Sequence, residues 1–261
     1  MKTYTTEGIV CSSIKLGESD RIVSIYTRQG LVRAVAKGVR KTKSKFGGRL
    51  EPFSHVRLML HRGRSLHTVS QAELVAPYSN IRRNLDLLAY GSAMLNLVEK
   101  MGEEESHPGE LLDTLEEALR FLAEGTHPLL VLCAFELRVI SLLGYLPNFD
   151  TCTSCGETVS EREVSFSAKA GGFLCPYCAL TDELSLRLAP ITVRLFRELT
   201  IQGMYFVPTI HPASAGAQEL HRVLHLFLRY HLDINLRSFR FLKGFAEEPW
   251  EDWGERPPPV A

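Results

Sequence analysis

Four of the six cysteines form two C-x-x-C pairs. Cys152 and Cys155 are followed, after nineteen residues, by Cys175 and Cys178. Each pair can make a tight turn that presents two thiolates to one tetrahedral Zn²⁺ ion, and the spacer has the length of a β-hairpin. Because all four ligands would be protein thiolates, no position remains for water or a substrate. The spacing therefore predicts a zinc ribbon that holds one structural Zn²⁺ ion per chain, rather than four unrelated buried cysteines.

The motifs of several enzyme classes are missing from the sequence. Zinc deaminases also carry P-C-x-x-C, but they need an H-x-E as well, and no histidine here is followed two residues later by glutamate. There is no Walker A sequence, no G-x-G-x-x-G after a strand and no G-x-S-x-G. His221 and His225 are four residues apart, but no third metal ligand is near them in the sequence, so we interpret them as surface or hydrogen-bonded histidines. The sequence predicts no catalytic centre.

The charge of the chain is unevenly distributed. Residues 1–81 hold 14 Lys and Arg against 5 Asp and Glu, whereas the rest of the chain holds 16 against 25. The formal net charge of zero therefore conceals a basic first part and an acidic remainder. A basic part of this kind indicates a polyanionic partner such as a nucleic acid.

The first 76 residues have the pattern of short strands separated by turns. The runs are rich in β-branched residues, and Arg28-Gln29-Gly30 between two of them is typical of a hairpin loop. Five strands in a unit of this size favour an OB-type barrel, with an SH3-like barrel as the alternative. The predicted strands cover residues 8–11, 21–27, 31–37, 55–60 and 65–69.

A basic segment lies between the third and fourth predicted strands. Six of the thirteen residues in 37–49 are basic and none is acidic. Lysine and arginine in such a segment would displace counterions from phosphates, while Phe46 or Tyr26 could stack on a base. We interpret it as a mobile basic loop that binds DNA, the alternative being a merely solvated loop. The predicted DNA-binding residues are Lys37, Arg40, Lys41, Lys43, Lys45, Phe46 and Arg49, with Arg62 and Arg64 on a neighbouring turn.

After residue 79 the apolar residues recur at helical spacing, and Leu129 to Leu143 is apolar on nearly every face. The sequence therefore predicts an α+β protein in which a five-stranded OB-type barrel precedes a helical domain with an inserted four-cysteine zinc ribbon. The predicted domains are an OB fold over 1–80, a helical domain over 81–146 and 181–244, the ribbon over 147–180, and an acidic, proline-rich disordered tail over 245–261.

The order of these parts resembles the bacterial RecO recombination mediators. The most specific likeness is Gly144-Tyr145-Leu146-Pro147 running into the four-cysteine ribbon. The other segments that carry the resemblance are Glu7-Gly8-Ile9-Val10, Gly17 to Val23, Ala36 to Arg40, Gly171 to Cys175, and Leu236 to Leu242.

The resemblance implies binding of single- and double-stranded DNA, annealing of complementary strands, and help in loading RecA onto strands coated by single-strand-binding protein. It implies RecR as a partner, together with RecA and single-strand-binding protein. No apolar run approaches the length of a membrane helix and the first residues lack an apolar signal, so we expect neither a membrane segment nor a secretory signal. The resemblance implies a bacterial cytoplasmic protein associated with the nucleoid. The alternatives are an RNA-binding factor of translation or transcription and a DNA-processing enzyme with an unrecognised metal site.

Overall fold

A computed structural model describes residues 2–101, 107–210 and 214–232 of the chain. Residue contacts group it into two units, Met1–Glu124 and Gly125–Ala261. The domain boundaries given above stay a prediction. The predicted disordered tail over 245–261, and the segment Leu236 to Leu242 that contributes to the resemblance, lie outside the described residues.

Five strands of the first unit close into a barrel in the order β1-β2-β3-β5-β4. Neighbouring strands are antiparallel except β3 and β5, which run parallel and close the barrel. This order is that of the OB fold, so the predicted OB-type barrel is confirmed over the SH3-like alternative. The strands are β1 (Thr3–Leu16), β2 (Asp20–Thr27), β3 (Gly30–Ala36), β4 (His55–His61) and β5 (His67–Ala76).

Alternation along the strands fills the barrel. Val23 and Ile25 on β2 and Ala34 and Ala36 on β3 are buried in one core cluster. Their neighbours in sequence, such as Ile22, point to the other face of the sheet because successive strand residues alternate. The two-residue repeat of the strands therefore separates the core side chains from those on the outside of the barrel.

Three helices pack within the same unit: α1 (Ser79–Arg83), α2 (Leu85–Met101) and α3 (Pro108–Ala123). Phe53, at a positive φ of 70°, lies against Gly91 of α2. A Cβ atom at Gly91 would approach Cε1 of Phe53 to 2.7 Å. The glycine therefore forms the notch that receives the ring, so that α2 packs against the segment that precedes β4.

The second unit is built around a helix that is buried on almost every side, as the sequence predicted. This helix, α4 (Pro128–Leu142), has Leu129 to Leu137 all buried. Two further helices pack against it, together with a 3₁₀ helix over Gly203–Thr209. Between α4 and the next long helix lies the cysteine-bearing segment, with a three-stranded sheet in the order β7-β6-β8. The elements are β6 (Ser165–Ser167), β7 (Gly172–Leu174), α5 (Pro176–Ala179), β8 (Leu186–Arg187), α6 (Pro190–Gln202) and α7 (Ser214–Leu232).

The α+β architecture is thus confirmed, with the cysteine segment inserted between helices of the second unit. None of the helices in the described ranges combines the length and apolar character needed to cross a bilayer.

Candidate metal centre and nucleic-acid interface

The four paired cysteines come together at one point of the second unit. The Sγ atoms of Cys152, Cys155, Cys175 and Cys178 all lie within 4.8 Å of one another, and those of Cys155 and Cys175 are 3.8 Å apart. A tetrahedral ion with Zn–S bonds of about 2.3 Å would place its sulfur ligands about 3.8 Å from one another. The donor set and its spacing therefore fit a tetrathiolate zinc site.

Backbone hydrogen bonds shape the first cysteine turn. The amide of Gly156, at φ 79°, donates to the carbonyl oxygen of Cys152 at 2.8 Å, and the amide of Cys152 donates to Glu157 O at 2.7 Å. Burial opposes ionisation of the Cys152 thiol, but the amides of Cys175, Cys155 and Ser154 outweigh this and lower its pKa to about 6. These amides therefore favour the thiolate form of Cys152, the form that a metal ion requires.

The two cysteine turns are joined through the strand that precedes Cys175. The amide of Thr153 donates to Phe173 O at 2.9 Å, and the amide of Phe173 donates to Asn148 O at 3.2 Å. A Cβ atom at Gly172 would lie 2.7 Å from Cγ2 of Thr153 and 2.8 Å from Asn148 O. The glycine pair has two roles: Gly171 makes the turn at φ 74°, and Gly172 lets the strand approach the first cysteine turn.

A cluster of phenylalanines attaches the ribbon to the helices. The rings of Phe149 and Phe196 have centroids 4.4 Å apart, those of Phe173 and Phe196 are 5.8 Å apart, and those of Phe166 and Phe227 are 6.1 Å apart. Phe196 belongs to α6 and Phe227 to α7. The ribbon is therefore part of the core of the second unit, so loss of its fold would expose that core.

A second cluster of metal-binding residue types lies in the same unit. Cys133 and Glu136 on α4 and His221 on α7 are all buried, with ligand atoms within 4.8 Å of one another. Oε2 of Glu136 lies 3.1 Å from Nδ1 of His221, so two of the three potential ligands already contact each other. We interpret the cluster as a buried hydrogen-bonded pair. His221 is thus bonded by a partner 85 residues away in sequence, which the spacing of His221 and His225 did not reveal.

In the first unit, the predicted DNA-binding cations are on the surface. Most lie on the segment between β3 and β4, and two lie on the turn between β4 and β5. The segment begins where β3 ends, and the turn leads into β5, the strand that pairs with β3. The exposed cations are Lys37, Arg40, Lys41, Lys43, Lys45 and Arg49 on the segment and Arg62 and Arg64 on the turn.

Hydrogen bonds fasten the start of the basic segment to the turn between β1 and β2. The amide of Gly38 donates to Oδ1 of Asp20 at 2.8 Å, and the amide of Arg40 donates to Ser19 O at 2.9 Å. The guanidinium of Arg40 donates through Nη1 to Gly17 O at 3.1 Å. In an OB fold, the loop between β1 and β2 borders the ligand-binding face, so these bonds hold cations beside that face.

The aromatic part of the prediction needs correction. Phe46 is 1% exposed and belongs to the barrel core together with Leu50, and Tyr26 is completely buried. Neither ring is available to stack on a base. Because Phe46 and Leu50 are both packed in the barrel core, the segment is fixed to the barrel. It is not the mobile loop that its charge suggested.

Lys45 and Arg49 also contact the protein. Nζ of Lys45 donates to Ser70 O at 2.8 Å and lies 5.0 Å from the centroid of the Phe46 ring. Arg49 donates through Nη1 to Lys45 O at 3.0 Å and to Phe46 O at 3.2 Å. Within the described ranges, no carboxylate forms an ion pair with Lys41 or Lys43, which leaves their ammonium groups to solvent or a ligand.

Comparison with known proteins gives consistent matches along the chain. The family described as "Recombination protein O N terminal" matches residues 1–78, and "Recombination protein O C terminal" matches residues 82–240. A DNA repair protein RecO from Nocardioides sp. (strain ATCC BAA-499 / JS614) is 39% identical over 246 residues, covering 92% of this chain and 99% of that protein. One from Thermobifida fusca (strain YX) is 38% identical over 251 residues, covering 93% and 99%. One from Roseiflexus sp. (strain RS-1) is 34% identical over 241 residues, covering 92% and 85%.

Proposed function

Because the chain belongs to the recombination protein O family of DNA repair proteins, we propose that it is a recombination mediator without a catalytic centre of its own. It binds single- and double-stranded DNA through the barrel, anneals complementary strands, and assists the loading of RecA together with RecR. Single-strand-binding protein is a further partner, and the protein acts at the nucleoid in the bacterial cytoplasm.

The observation that carries this proposal is the set of exposed cations anchored beside the β1–β2 turn. Lysine and arginine side chains neutralise phosphates whatever the sequence, and they leave the edges of the bases accessible. Two complementary strands repel each other through their phosphates, so a surface that neutralises them lowers the barrier to pairing. The proposed annealing therefore needs no ATP, is insensitive to sequence and weakens steeply with salt.

The proposed metal is a single structural Zn²⁺ ion held by Cys152, Cys155, Cys175 and Cys178. When bound, it cross-links the two cysteine turns and takes no part in chemistry on DNA, because the four thiolates complete its coordination. What supports this role is the phenylalanine cluster, which joins the ribbon to α6 and α7. The metal would stabilise the second unit, while the cations of the barrel contact DNA.

A strand-annealing assay tests the proposal directly. The full chain is mixed with two complementary labelled strands in the absence of ATP, with and without RecR, over a series of salt concentrations. We expect annealing above the spontaneous rate, a steep decrease with salt, and a change of rate when RecR is added. No acceleration at any salt concentration would contradict the proposal.

A second measurement separates this function from that of an RNA-binding factor. The affinity for a single strand of DNA is compared with the affinity for RNA of the same sequence. DNA binding at least as strong as RNA binding is expected. A large preference for RNA would instead favour a role in translation or transcription.

A further inference from the structure

In the hairpin of β1 and β2, strand β1 continues beyond the point where its pairing with β4 ends. The register of β1 with β4 ends at Ile9, whereas its register with β2 continues to Leu16. In this later part of β1, Ile14 is 63% exposed and Leu16 is 40% exposed. Two large apolar side chains are therefore exposed on the part of β1 that lies beyond its pairing with β4.

These side chains belong to a strip that crosses three strands. Ile14 is directly opposite Ile22 on β2, and Ile22 is opposite Val35 on β3, so the three residues share one face of the sheet. Val23 and Ala34, their neighbours in sequence, are buried in the barrel core, which places the strip on the outer face. Leu16 lies two residues after Ile14 and extends the strip. We call Ile14, Leu16, Ile22 and Val35 the apolar strip.

Cations border the strip on the side of the basic segment. Lys37 follows Val35 by two residues, and Arg40 is bonded to the turn that ends the hairpin. Two carboxylates are also near this turn. Asp20, opposite Leu16, accepts from the amide of Gly38, while Glu18 is exposed at the tip. The pattern is an apolar surface with ammonium and guanidinium groups along its edge.

We infer that the apolar strip binds the unpaired bases of a single DNA strand while Lys37, Arg40 and Lys41 contact its phosphates. This inference rests on the DNA binding proposed above and assigns the part of that site that meets the bases. Because Tyr26 and Phe46 are buried, an apolar contact with bases needs another surface. In a duplex the faces of the bases are stacked, so the strip would contribute to binding of single strands only.

The test compares full-length wild-type protein with the variant carrying Ile14→Ser and Leu16→Ser. The probes are an oligodeoxythymidylate and an abasic deoxyribose-phosphate strand of the same length, measured at the same salt concentrations. Wild-type protein is expected to prefer the base-bearing strand. The variant is expected to lose about tenfold in affinity for it, as burial of apolar side chains would imply, with unchanged affinity for the abasic strand and an unchanged salt slope.

Leu85→Ser on α2 is the matched control, because Leu85 is 82% exposed and lies outside the strip. It should keep the preference for bases, and thermal unfolding should show that all variants are folded. If wild-type protein binds both strands equally, or if the double variant keeps the preference, the inference is overturned while DNA binding stands. If wild-type protein binds neither strand, the proposed function itself fails.

Discussion

The carboxylate of Glu136 on α4 lies 3.1 Å from Nδ1 of His221 on α7, and both side chains are buried. A carboxylate costs several kcal/mol to bury unless it is paired, so this contact selects one alignment of the two helices. The apolar surface of α4 alone would not specify that alignment, because Leu129 to Leu137 are buried on every face.

Glu136→Ala should lower the free energy of unfolding by about 3–5 kcal/mol, because the buried imidazole of His221 would lose its carboxylate. Replacing both residues by leucine should restore most of that loss, since neither polar group then remains. Urea unfolding measures both effects. Glu183→Ala, at an exposed position, is the control and should change stability by less than about 0.5 kcal/mol. A double variant no more stable than Glu136→Ala would show that the pair does not account for the loss.

His225 should make the fold sensitive to acid. Burial, with the nearby charges of His221 and Arg229, lowers the pKa of His225 to about 3. An unfolded chain titrates histidine at about 6.5, so below that pH the unfolded state binds a proton that the folded state does not. Stability should therefore fall by about 2 kcal/mol between pH 7 and pH 5 from this residue alone. His225→Leu should flatten the pH dependence of urea unfolding, whereas His107→Gln at an exposed position should not.

Removing one sulfur ligand should release the metal and weaken the second unit. Cys175→Ser is expected to lose the single zinc ion per chain and to lower the melting temperature, because structural zinc stabilises small domains by about 10–16 kcal/mol. Metal analysis and thermal unfolding provide the two readouts. Ser154→Ala, an exposed side chain within the first cysteine turn, should keep both values. A soluble, zinc-free Cys175→Ser protein with unchanged melting would contradict the structural role.

Lys41 and Lys43 should account for more of the salt dependence of DNA binding than Lys45. Changing both to glutamine should reduce the slope of log affinity against log salt by about 1.4 on single strands, at about 0.7 per phosphate contact. Lys45→Gln should reduce it less, because Nζ of Lys45 donates to Ser70 O. Lys2→Gln serves as the control for loss of an exposed charge. An unaltered slope in the double variant would mean that the segment is only solvated.

Phe46 should affect DNA binding through stability rather than through stacking. Phe46→Ala should cost about 3–5 kcal/mol, as other large-to-small changes in cores do, and should weaken DNA binding by releasing the cations from their positions. Phe46→Leu should keep most of the DNA affinity because leucine still fills the core. Loss of DNA affinity in Phe46→Leu without loss of stability would instead indicate a stacking role. Unfolding and binding measured on the same preparations distinguish these cases.

The features that the sequence predicted are those carried by local patterns. Runs rich in β-branched residues between turns indicated the strands, and Cys152 to Cys178 lie close enough in the chain for their spacing to define one cluster. The length of β1 was underestimated, because its predicted core of residues 8–11 is extended at both ends by segments that mix polar and apolar residues, to Thr3–Leu16.

The features that were missed depend on packing between distant segments. The sequence does not reveal whether an aromatic residue in a basic run faces solvent. Phe46 is buried because it packs into the core of the barrel, which is formed by strands that precede and follow the segment. Glu136 and His221 are far apart in the chain, so their contact follows from the packing of α4 on α7. One signal was present: Glu136 is the single acidic residue in the mostly apolar run from Leu129 to Leu143, which indicates a buried partner.

The parallel contact between β3 and β5 consists of two residue pairs, Ala34 with His67 and Val35 with Thr68, whereas β2 and β3 are paired over their full length. We expect this short pairing to open locally. Its hydrogen bonds can break while every antiparallel pair of strands stays intact, so the opening costs far less free energy than global unfolding. Hydrogen exchange of the amides that pair β3 with β5 would then be the fastest within the barrel strands. Because Val35 belongs to this pairing, a ligand bound to Val35 would stabilise the contact between β3 and β5 and slow its opening.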